Sequence, residues 1–403
     1  MYKDNAKDTK SPIRTKRAGY LYERICDLDN IKAAIWKASE KKRSQKYVRR
    51  ILKKIDHYAE IIQKLLKDQS YVPSGYIFKT INDGIRQKKR EIAKPRFFPD
   101  QCIHHALMQV LEESIMKGMY YYNCGSVPGR GDKRIRKAVT KLIRKRPEKA
   151  KYVAKMDVYH FYQSIDHDEL KRILRKKIKD KKALWLCDVI IDSCENGIPI
   201  GNYTSQWFCN LFLEDLDHKI KAFLGKDCGY YRYVDDMVII GPNKRRLHKC
   251  RKMIQVELQK KKLEMKQDWQ IFRMKSKVAQ TKWNEFCASK TKANWQAYKK
   301  SCRALDFLGC KFYPDGHVEL RKSILKRVKR KARKIQRLGK HVNARNASAM
   351  MAYMGRLHCT NSEMLYRMEI RPYIGGTRRL RKEISHERKI QRKTAGDLVG
   401  GAE

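Results

Sequence analysis

The sequence predicts an α+β fold, in which helices cover an antiparallel sheet whose strands lead into acidic residues. Residues 230–240 form two runs rich in Tyr, Val and Ile that meet at Asp235 and Asp236, a pattern that indicates a β-hairpin. Upstream, the apolar run 152–156 leads into Asp157 and predicts another strand. Apolar residues at helical spacing recur through much of the remaining chain.

The composition indicates a globular protein with a polyanionic partner. Of 403 residues, 42% are apolar, and 94 Lys and Arg against 43 Asp and Glu give a formal charge of +51. Nucleic acid is the expected partner because its phosphates neutralise such an excess, and a membrane surface is the weaker alternative.

The sequence lacks the usual marks of export, membrane insertion and thiolate-bound metal. No apolar run approaches the roughly 18–20 residues of a transmembrane helix, and the N-terminal residues contain no signal-peptide core. The 12 Cys residues show no C-x-x-C spacing and many lie inside apolar patterns, which predicts reduced core residues. We therefore expect a cytoplasmic protein with no membrane partner.

The adjacent carboxylates of the predicted hairpin repel each other, and burial strengthens this repulsion. A stable protein tolerates such a pair where a cation is held, and Mg²⁺ suits the position because it prefers hard oxygen ligands. If the strand before Asp157 lies beside the hairpin, Asp157, Asp235 and Asp236 converge, as in two-metal sites for in-line displacement. A surface turn with two solvated Asp side chains is the alternative for the Asp-Asp pair by itself.

The stretches 152–167 and 230–240 resemble motifs A and C of reverse transcriptases, the latter as Tyr-x-Asp-Asp at residues 233–236. The resemblance implies a right-hand polymerase fold with fingers, a palm built on an antiparallel sheet, and a helical thumb. It also implies that two Mg²⁺ ions, with Mn²⁺ as an alternative, bind to Asp157, Val158, Asp235 and Asp236. The expected division is a basic tail over 1–18, N-terminal helices and fingers over 19–150, the palm over 151–320, the thumb over 321–375, and a basic flexible tail over 376–403.

The N-terminal part of the predicted fingers consists of helices followed by strands. Residues 21–66 contain two helical patterns, which a generic helical hairpin would also explain. Residues 75–96 predict strands around a turn at 82–84 and are dense in Lys and Arg. Lys89 and Arg90 resemble the finger motif that contacts the incoming triphosphate, to which basic side chains supply charge and donors, although either side chain could simply be solvated.

Residues 101–131 complete the predicted fingers with a helix and a glycine-rich loop. Residues 101–117 predict an amphipathic helix, and its adjacent His104 and His105 do not face each other, so metal ligation is not expected. The loop 125–131 could expose backbone N–H groups to a phosphate, but it lacks the spacing of a P-loop. It resembles the second finger motif of reverse transcriptases, in which Arg130 would contact template or triphosphate.

Two further stretches are expected to line the nucleotide pocket, with a predicted helix between them. Tyr162 lies five residues after Asp157, where the family places an aromatic steric gate against a ribose 2′-OH, and a core aromatic is the alternative. Residues 170–191 read as helical. The segment Ile200-Gly201-x-x-x-Ser205-Gln206 departs from the Gln-Gly and Ser-Pro of most reverse transcriptases and is similar to those of diversity-generating retroelements.

In this segment, Ile200, Gly201 and Gln206 are expected to contact the dNTP. Gly201 would allow a nucleotide to approach the backbone closely, and Ser205 could cap the following helix.

The palm is expected to continue through residues 245–320. A helix is predicted over 245–262, and Lys266 falls in a stretch similar to motif D, near the pyrophosphate side. Residues 273–301 are polar and helical in pattern, and no function is assigned to them. Residues 305–310 resemble the primer grip, in which Leu308 and Gly309 would support the primer end.

Residues 321–340 combine an apolar stripe with dense positive charge and no acidic residue. One face can pack while the other contacts phosphates, which predicts the first thumb helix. We expect Lys326, Arg330, Arg333 and Arg337 to bind nucleic acid. A basic amphipathic helix can also lie on a membrane, but this one follows a predicted palm.

The resemblance predicts an RNA-directed DNA polymerase of a diversity-generating retroelement, which copies a template RNA into cDNA with frequent errors opposite adenine. Its expected partners are template RNA, the cDNA primer, dNTPs and a small helical accessory protein. A defence-type or group II intron-like reverse transcriptase is the alternative within the class, and an idle RNA-binding protein is the alternative outside it. The intact carboxylates favour an enzyme.

Overall fold

The computed structural model describes residues 17–83, 88–358 and 360–386, and the side chains of 82–90 and 340 lie outside that description. Within these ranges, no helix is both long enough and apolar enough to cross a bilayer.

The N-terminal region is helical, as predicted, but each predicted helix is divided in two. Asp27 ends the first helix and caps the second, because its carboxylate accepts hydrogen bonds from the N–H groups of Asp29 and Asn30. Ala18 pairs with Ile178, so the predicted tail over 1–18 is wrong at its last residue. The helices are α1 (Tyr22–Cys26), α2 (Leu28–Ala38), α3 (Lys46–Lys53) and α4 (Ile55–Lys67).

Two strands form the predicted finger hairpin, β1 (Tyr76–Asp83) and β2 (Lys88–Pro95), which pair antiparallel. The turn was predicted too early, since residues 82 and 83 still pair with Lys89 and Lys88. The N–H of Ala93 donates to the carbonyl of Ile200 at 3.0 Å, so this hairpin is fastened to a distant loop. Helix α5 (Cys102–Met116) follows and packs on α2.

A four-stranded antiparallel sheet forms the centre of the described residues, with β3 (Tyr152–Met156), β4 (Gly229–Tyr233), β5 (Asp236–Gly241) and β6 (Gln270–Arg273) in the order β4-β5-β3-β6. This confirms the predicted hairpin and the predicted strand before Asp157. Met156 pairs with Met237, which brings the end of β3 to the beginning of β5.

The two faces of this sheet pack against different elements, because successive strand residues point to opposite sides. Ala154 and Met156 belong to a large core that includes residues of the helices behind the sheet. Val153 belongs to a second core, on the side to which Asp157 also points by the same alternation.

The helices of the central region are more numerous than the sequence indicated. The predicted helix 170–191 is divided because Asp180 caps a new helix by accepting from the N–H groups of Lys182 and Ala183. Ser205 was wrongly predicted as a cap, because the helix begins after Asn202 and buries Ser205. These helices are α6 (Asp132–Lys145), α7 (His167–Lys177), α8 (Lys181–Ile191), α9 (Tyr203–Phe212), α10 (Glu214–Leu224) and α11 (Lys244–Lys260).

The C-terminal region begins with two helices that were unassigned in function, α12 (Lys277–Ser289) and α13 (Lys292–Ser301). Their aromatic rings contact one another, and Trp295 contacts His317 at 4.8 Å between ring centroids. They therefore lie against a three-stranded sheet of β7 (Leu305–Phe307), β8 (Cys310–Phe312) and β9 (Val318–Leu320).

Helices complete the described chain. The basic helix predicted over 321–340 is α14 (Lys322–Leu338), which buries Val328, Ala332 and Ile335. The predicted flexible tail over 376–403 is wrong over 376–386, which is helical, and its remainder lies outside the described residues. The remaining elements are α15 (Ala344–Leu357), α16 (Glu363–Glu369) and a 3₁₀ segment (Arg371–Thr377).

Candidate active site

The three predicted carboxylates meet at one edge of the four-stranded sheet. Asp157 directly follows β3, Asp235 lies in the turn between β4 and β5, and Asp236 is the first residue of β5. Val234 before them has a left-handed backbone with φ of 61°, which lets the two strands reverse direction tightly. All three carboxylates are half-buried.

Mutual repulsion and burial make these carboxylates hard to ionise together. Burial, followed by the charge of Asp157, raises the pKa of Asp235 to about 7. Burial also raises the pKa of Asp236 to about 6, although the nearby Lys155 ammonium opposes that shift. The edge of the sheet therefore concentrates negative charge that the protein stabilises incompletely.

Two lysines lie among the carboxylates. The ammonium of Lys266 binds Oδ2 of Asp157, and the backbone N–H of Lys266 donates to the carbonyl of Asp157 at 2.9 Å. Burial lowers the pKa of Lys266, but the hydrogen bond and charge of Asp157 outweigh it and raise the pKa overall. Lys155 lies 3.9 Å from Oδ2 of Asp236 and donates to the carbonyl of Asp306 at 2.9 Å.

The donor set fits divalent cations. Within the described part of the chain, Oδ1 of Asp157 and Oδ1 of Asp236 are buried and have no hydrogen-bond partner. Such oxygens favour a hard cation, which would satisfy them and offset their repulsion. Residues 17–83, 88–358 and 360–386 hold no set of three or more His, Cys, Asp or Glu side chains already gathered for metal binding. The ammonium groups of Lys266 and Lys155 partly neutralise the negative charge of Asp157 and Asp236.

Three carboxylates at the strand ends of an antiparallel sheet, with the basic helix α14 lining the adjacent cleft, form the arrangement expected for a polymerase palm. The sequence profile of the family described as reverse transcriptase (RNA-dependent DNA polymerase) matches residues 86–312, which is more than half of the chain. The chain belongs to the reverse transcriptase family. This confirms the predicted right-hand polymerase fold, and the family is the one that the predicted enzyme class implies.

Solved structures with a similar backbone include telomerases. An apo telomerase from Candida tropicalis, truncated from its C-terminal domain, is 15% identical, with a TM-score of 0.45 over 61% of this chain and 54% of that chain. A telomerase from Candida albicans in complex with a TWJ fragment of telomeric RNA is 13% identical, with a TM-score of 0.44 over 72% of this chain and 55% of that chain. The chain thus spans about half the length of these structures. No curated protein matches the sequence.

The predicted steric gate, Tyr162, shares a neighbour with Asp235, because both act on the Cys209 thiol. Tyr162 is half-buried in the short helical turn after Asp157, and its carbonyl accepts a hydrogen bond from the N–H of Ile198 at 2.8 Å. A hydrogen bond from Tyr162 lowers the pKa of the Cys209 thiol, although burial raises that pKa well above its usual value. The phenol therefore lies against α9.

The predicted nucleotide loop binds the finger hairpin. The carbonyl of Ile200 holds Ala93, and a Cβ on Gly201 would lie 2.3 Å from the Ala93 carbonyl, at a φ of 140°. Glycine is thus required here by the approach of the finger strand, whereas the sequence suggested approach of a nucleotide. Gln206 is exposed on α9, and its carbonyl accepts a hydrogen bond from Asn210.

The basic finger residues have different environments. The guanidinium of Arg130 donates to the carbonyls of Tyr120 at 2.6 Å and Asn123 at 3.3 Å, so it ties the glycine-rich loop to the segment before it. Its contact with template or triphosphate stays a prediction. Lys89 and Arg90 lie on β2, and their side chains fall outside the described part of the chain.

The predicted primer grip is a hairpin whose turn is Leu308 and Gly309, with φ values of 50° and 76°. The carbonyl of Gly309 accepts from the N–H of Arg321, and Asp306 binds the Arg321 guanidinium at 2.6 Å. The hairpin is therefore fixed to the beginning of α14. The predicted phosphate-binding residues of α14 are all exposed, namely Lys326, Arg330, Arg333 and Arg337.

Sequence reasoning missed a cleft of about 790 Å³ that extends from Asp157 and Asp236 towards the primer-grip hairpin and α14. Lys155 lines it, and the alternation of β3 could have identified this residue, because it lies two positions before Asp157 on the same face. Arginines from separate elements also line it, and no local sequence pattern links them: Arg303, Arg321, Arg327 and Arg356.

Proposed function

We propose that this reverse transcriptase polymerises dNTPs into cDNA on a template RNA and belongs to a diversity-generating retroelement. The observation that carries the polymerase activity is the meeting of Asp157, Asp235 and Asp236 with buried oxygens that lack partners among the described residues. Those oxygens would hold two Mg²⁺ ions, together with the backbone at Val158. When bound, the ions would lower the pKa of the primer 3′-hydroxyl and stabilise the leaving pyrophosphate.

The other residues of the site position the substrates. Lys266 places an ammonium group beside Asp157, where it can contact the phosphates of the incoming nucleotide. The Tyr162 ring, packed on α9, would crowd a ribose 2′-OH and favour dNTPs. The turn Leu308-Gly309 and the exposed cations of α14 would support the primer and its duplex, since phosphate contacts fix register without reading sequence.

Primer extension tests the activity. The purified protein is expected to extend a DNA primer on an RNA template with dNTPs, and excess EDTA should stop the extension. Asp157→Asn should prevent incorporation while leaving RNA binding unchanged, because Asn keeps the shape and removes the charge. RNA binding without extension by the wild type, with or without co-expressed neighbouring proteins, would favour the idle RNA-binding alternative.

The retroelement assignment is supported by Ile200 and Gln206, which replace the Gln of Gln-Gly and the Pro of Ser-Pro found in most reverse transcriptases. It implies frequent errors opposite template adenine and a small helical accessory protein. Sequencing the cDNA decides between the subfamilies, because rare or evenly distributed errors would favour a defence-type or group II intron-like enzyme. The cytoplasmic location stays a prediction.

A further inference from the structure

A buried ion pair lies behind the catalytic turn. Arg232 of β4 and Asp217 of α10 both have side chains with 0% exposure, and Nη2 of Arg232 lies 2.5 Å from Oδ2 of Asp217. Nε of Arg232 also donates to Oδ1 of Asp217 at 2.7 Å, so the pair is bidentate. Tyr230 donates to the same Oδ1 at 2.7 Å.

The remaining edge of the guanidinium holds the turn itself. Nη1 of Arg232 donates at 2.8 Å to the carbonyl of Val234, whose next residue is Asp235. Val234 has a φ of 61°, which a β-branched residue adopts only when its surroundings enforce it. The peptide bond that Arg232 holds is therefore the one that carries the first carboxylate of the hairpin.

Asn210 links this arrangement to two other segments, the glycine-rich loop and α9. Nη2 of Arg232 donates to the carbonyl of Asn210 at 3.1 Å, while the Asn210 amide donates to the carbonyls of Gly125 and Gln206. Gly125 approaches the turn so closely that a Cβ there would lie 2.5 Å from the nitrogen of Val234. The glycine-rich loop, α9 and the catalytic turn thus share one buried network.

The energetics favour a positioning role over simple stabilisation. A fully buried ion pair gains little net stability, and an apolar pair of similar volume is often as stable or more so. An apolar pair cannot supply directed contacts, whereas the hydrogen bonds of this guanidinium reach Asp217, Asn210 and Val234 on three different segments. A displacement near 1 Å at a reacting group costs about 10²-fold in rate.

We propose that Arg232 is a positioning residue for polymerisation. Through its hydrogen bond to the Val234 carbonyl, it holds the turn that bears Asp235 and Asp236 in place opposite Asp157. Asp217 orients the guanidinium, and Asn210 ties the turn to the glycine-rich loop and α9. The proposal rests on the proposed polymerase function.

The test compares two buried ion pairs that share helix α10. Arg232→Met/Asp217→Leu removes the pair behind the turn without leaving an unpaired charge. The matched control is Lys177→Met/Glu214→Met, because Lys177 and Glu214 are 2.9 Å apart with side chains only 13% and 12% exposed, and they do not contact the turn. Arg232→Lys keeps the charge, but one ammonium cannot reach Asp217, Asn210 and Val234 together.

Two readouts are measured for each variant: single-turnover incorporation of a dNTP, and the rise in melting temperature that Mn²⁺ causes without substrates. The control pair should match the wild type in both. Arg232→Met/Asp217→Leu should lose about 100-fold in kcat, with less than a threefold change in KM for dNTP, and it should lose most of the Mn²⁺ effect. Arg232→Lys should show the same loss of kcat and the same loss of the Mn²⁺ effect.

The proposal is overturned if Arg232→Met/Asp217→Leu equals the control pair in kcat and in the Mn²⁺ effect, or if Arg232→Lys restores wild-type kcat. Should the double variant fail to fold, Arg232→Lys decides alone by the same two readouts. Failure of the proposed function is distinguishable, because then the wild type and the control pair would not extend the primer either.

Discussion

The hairpin of β4 and β5 has opposite electrostatics on two sides, a front that bears Asp235 and Asp236 and a back that bears Arg232. At the front, Asp235 and Asp236 face Asp157, burial raises the pKa of both hairpin carboxyls, and carboxylate oxygens of Asp157 and Asp236 have no partner among the described residues. At the back, Arg232 and Asp217 are more deeply buried, yet each charge is matched and each guanidinium N–H has an acceptor.

The carboxylates at the front are poised to bind a ligand, whereas the ion pair at the back fixes the geometry of the hairpin. A satisfied buried network fixes one geometry, and an unsatisfied one costs stability unless a ligand completes it. The two sides should therefore respond with opposite signs when a single charge is removed.

Asp235→Asn should have the largest effect on activity, a loss of about 10³-fold or more in dNTP incorporation, which is the scale of losing a major electrostatic contact at the reacting centre. Without divalent cations the same variant should melt at a higher temperature than the wild type, because the repulsion with Asp157 disappears. Primer extension and thermal unfolding in EDTA measure the two effects. A lower melting temperature with normal extension would show that the front carboxylates are structural.

Asp217→Asn should instead destabilise the fold, by about 3–5 kcal/mol, because it leaves the Arg232 charge buried without a counter-charge. Urea unfolding measures this loss, and Asp215→Asn on the exposed side of the same helix is the control, since a surface ion pair with Lys219 contributes only about 0–1 kcal/mol. If Asp217→Asn were neutral, the satisfied back of the hairpin would not differ from an ordinary surface pair.

The front of the hairpin was predictable from sequence and the back was not. Strand alternation and two adjacent Asp residues are local patterns, and they placed Asp157 and the turn correctly. The partnership of Arg232 with Asp217 depends on how α10 packs behind the sheet, which no spacing within the chain encodes.

Errors in the predicted elements have a similar origin. Single capping residues, Asp27 and Asp180, divide helices that apolar periodicity had joined. Gly201 was correctly singled out as a close-approach position, but the approaching group is the backbone of Ala93, which lies more than a hundred residues earlier. Side-chain burial could not be read from the motif alone, as the internally bonded Arg130 shows.

Tyr162→Ala sharpens the comparison on the front side by removing bulk without charge. The phenol lies against Cys209 of α9, which the charge of Asp235 also affects, so its loss should open space for a ribose 2′-OH and raise the rNTP-to-dNTP ratio of kcat/KM by about 10–100-fold. Tyr152→Ala, a half-buried Tyr at the other end of β3, serves as the control for lost aromatic packing. An unchanged ratio in an active Tyr162→Ala variant would place the gate at another residue.

The smallest predicted effect concerns fidelity and the loop that joins the front of the site to the fingers. The carbonyl of Ile200 binds Ala93, and this backbone bond should survive a change of side chain, so Ile200→Gln should keep activity. Gln adds hydrogen-bonding groups that the half-buried Ile lacks, and one such positioning contact corresponds to about 1–3 kcal/mol of discrimination, or about 5–150-fold. Ile200→Gln is therefore expected to lower misincorporation, chiefly opposite template adenine.

The matched control is Ile200→Leu, which keeps an apolar side chain and should retain the wild-type error spectrum. Sequencing cDNA from all three proteins on one RNA template measures the effect. Equal error spectra for Gln and Leu would mean that the pocket is shaped by the finger strand that Ile200 holds, because the backbone contact is common to all three.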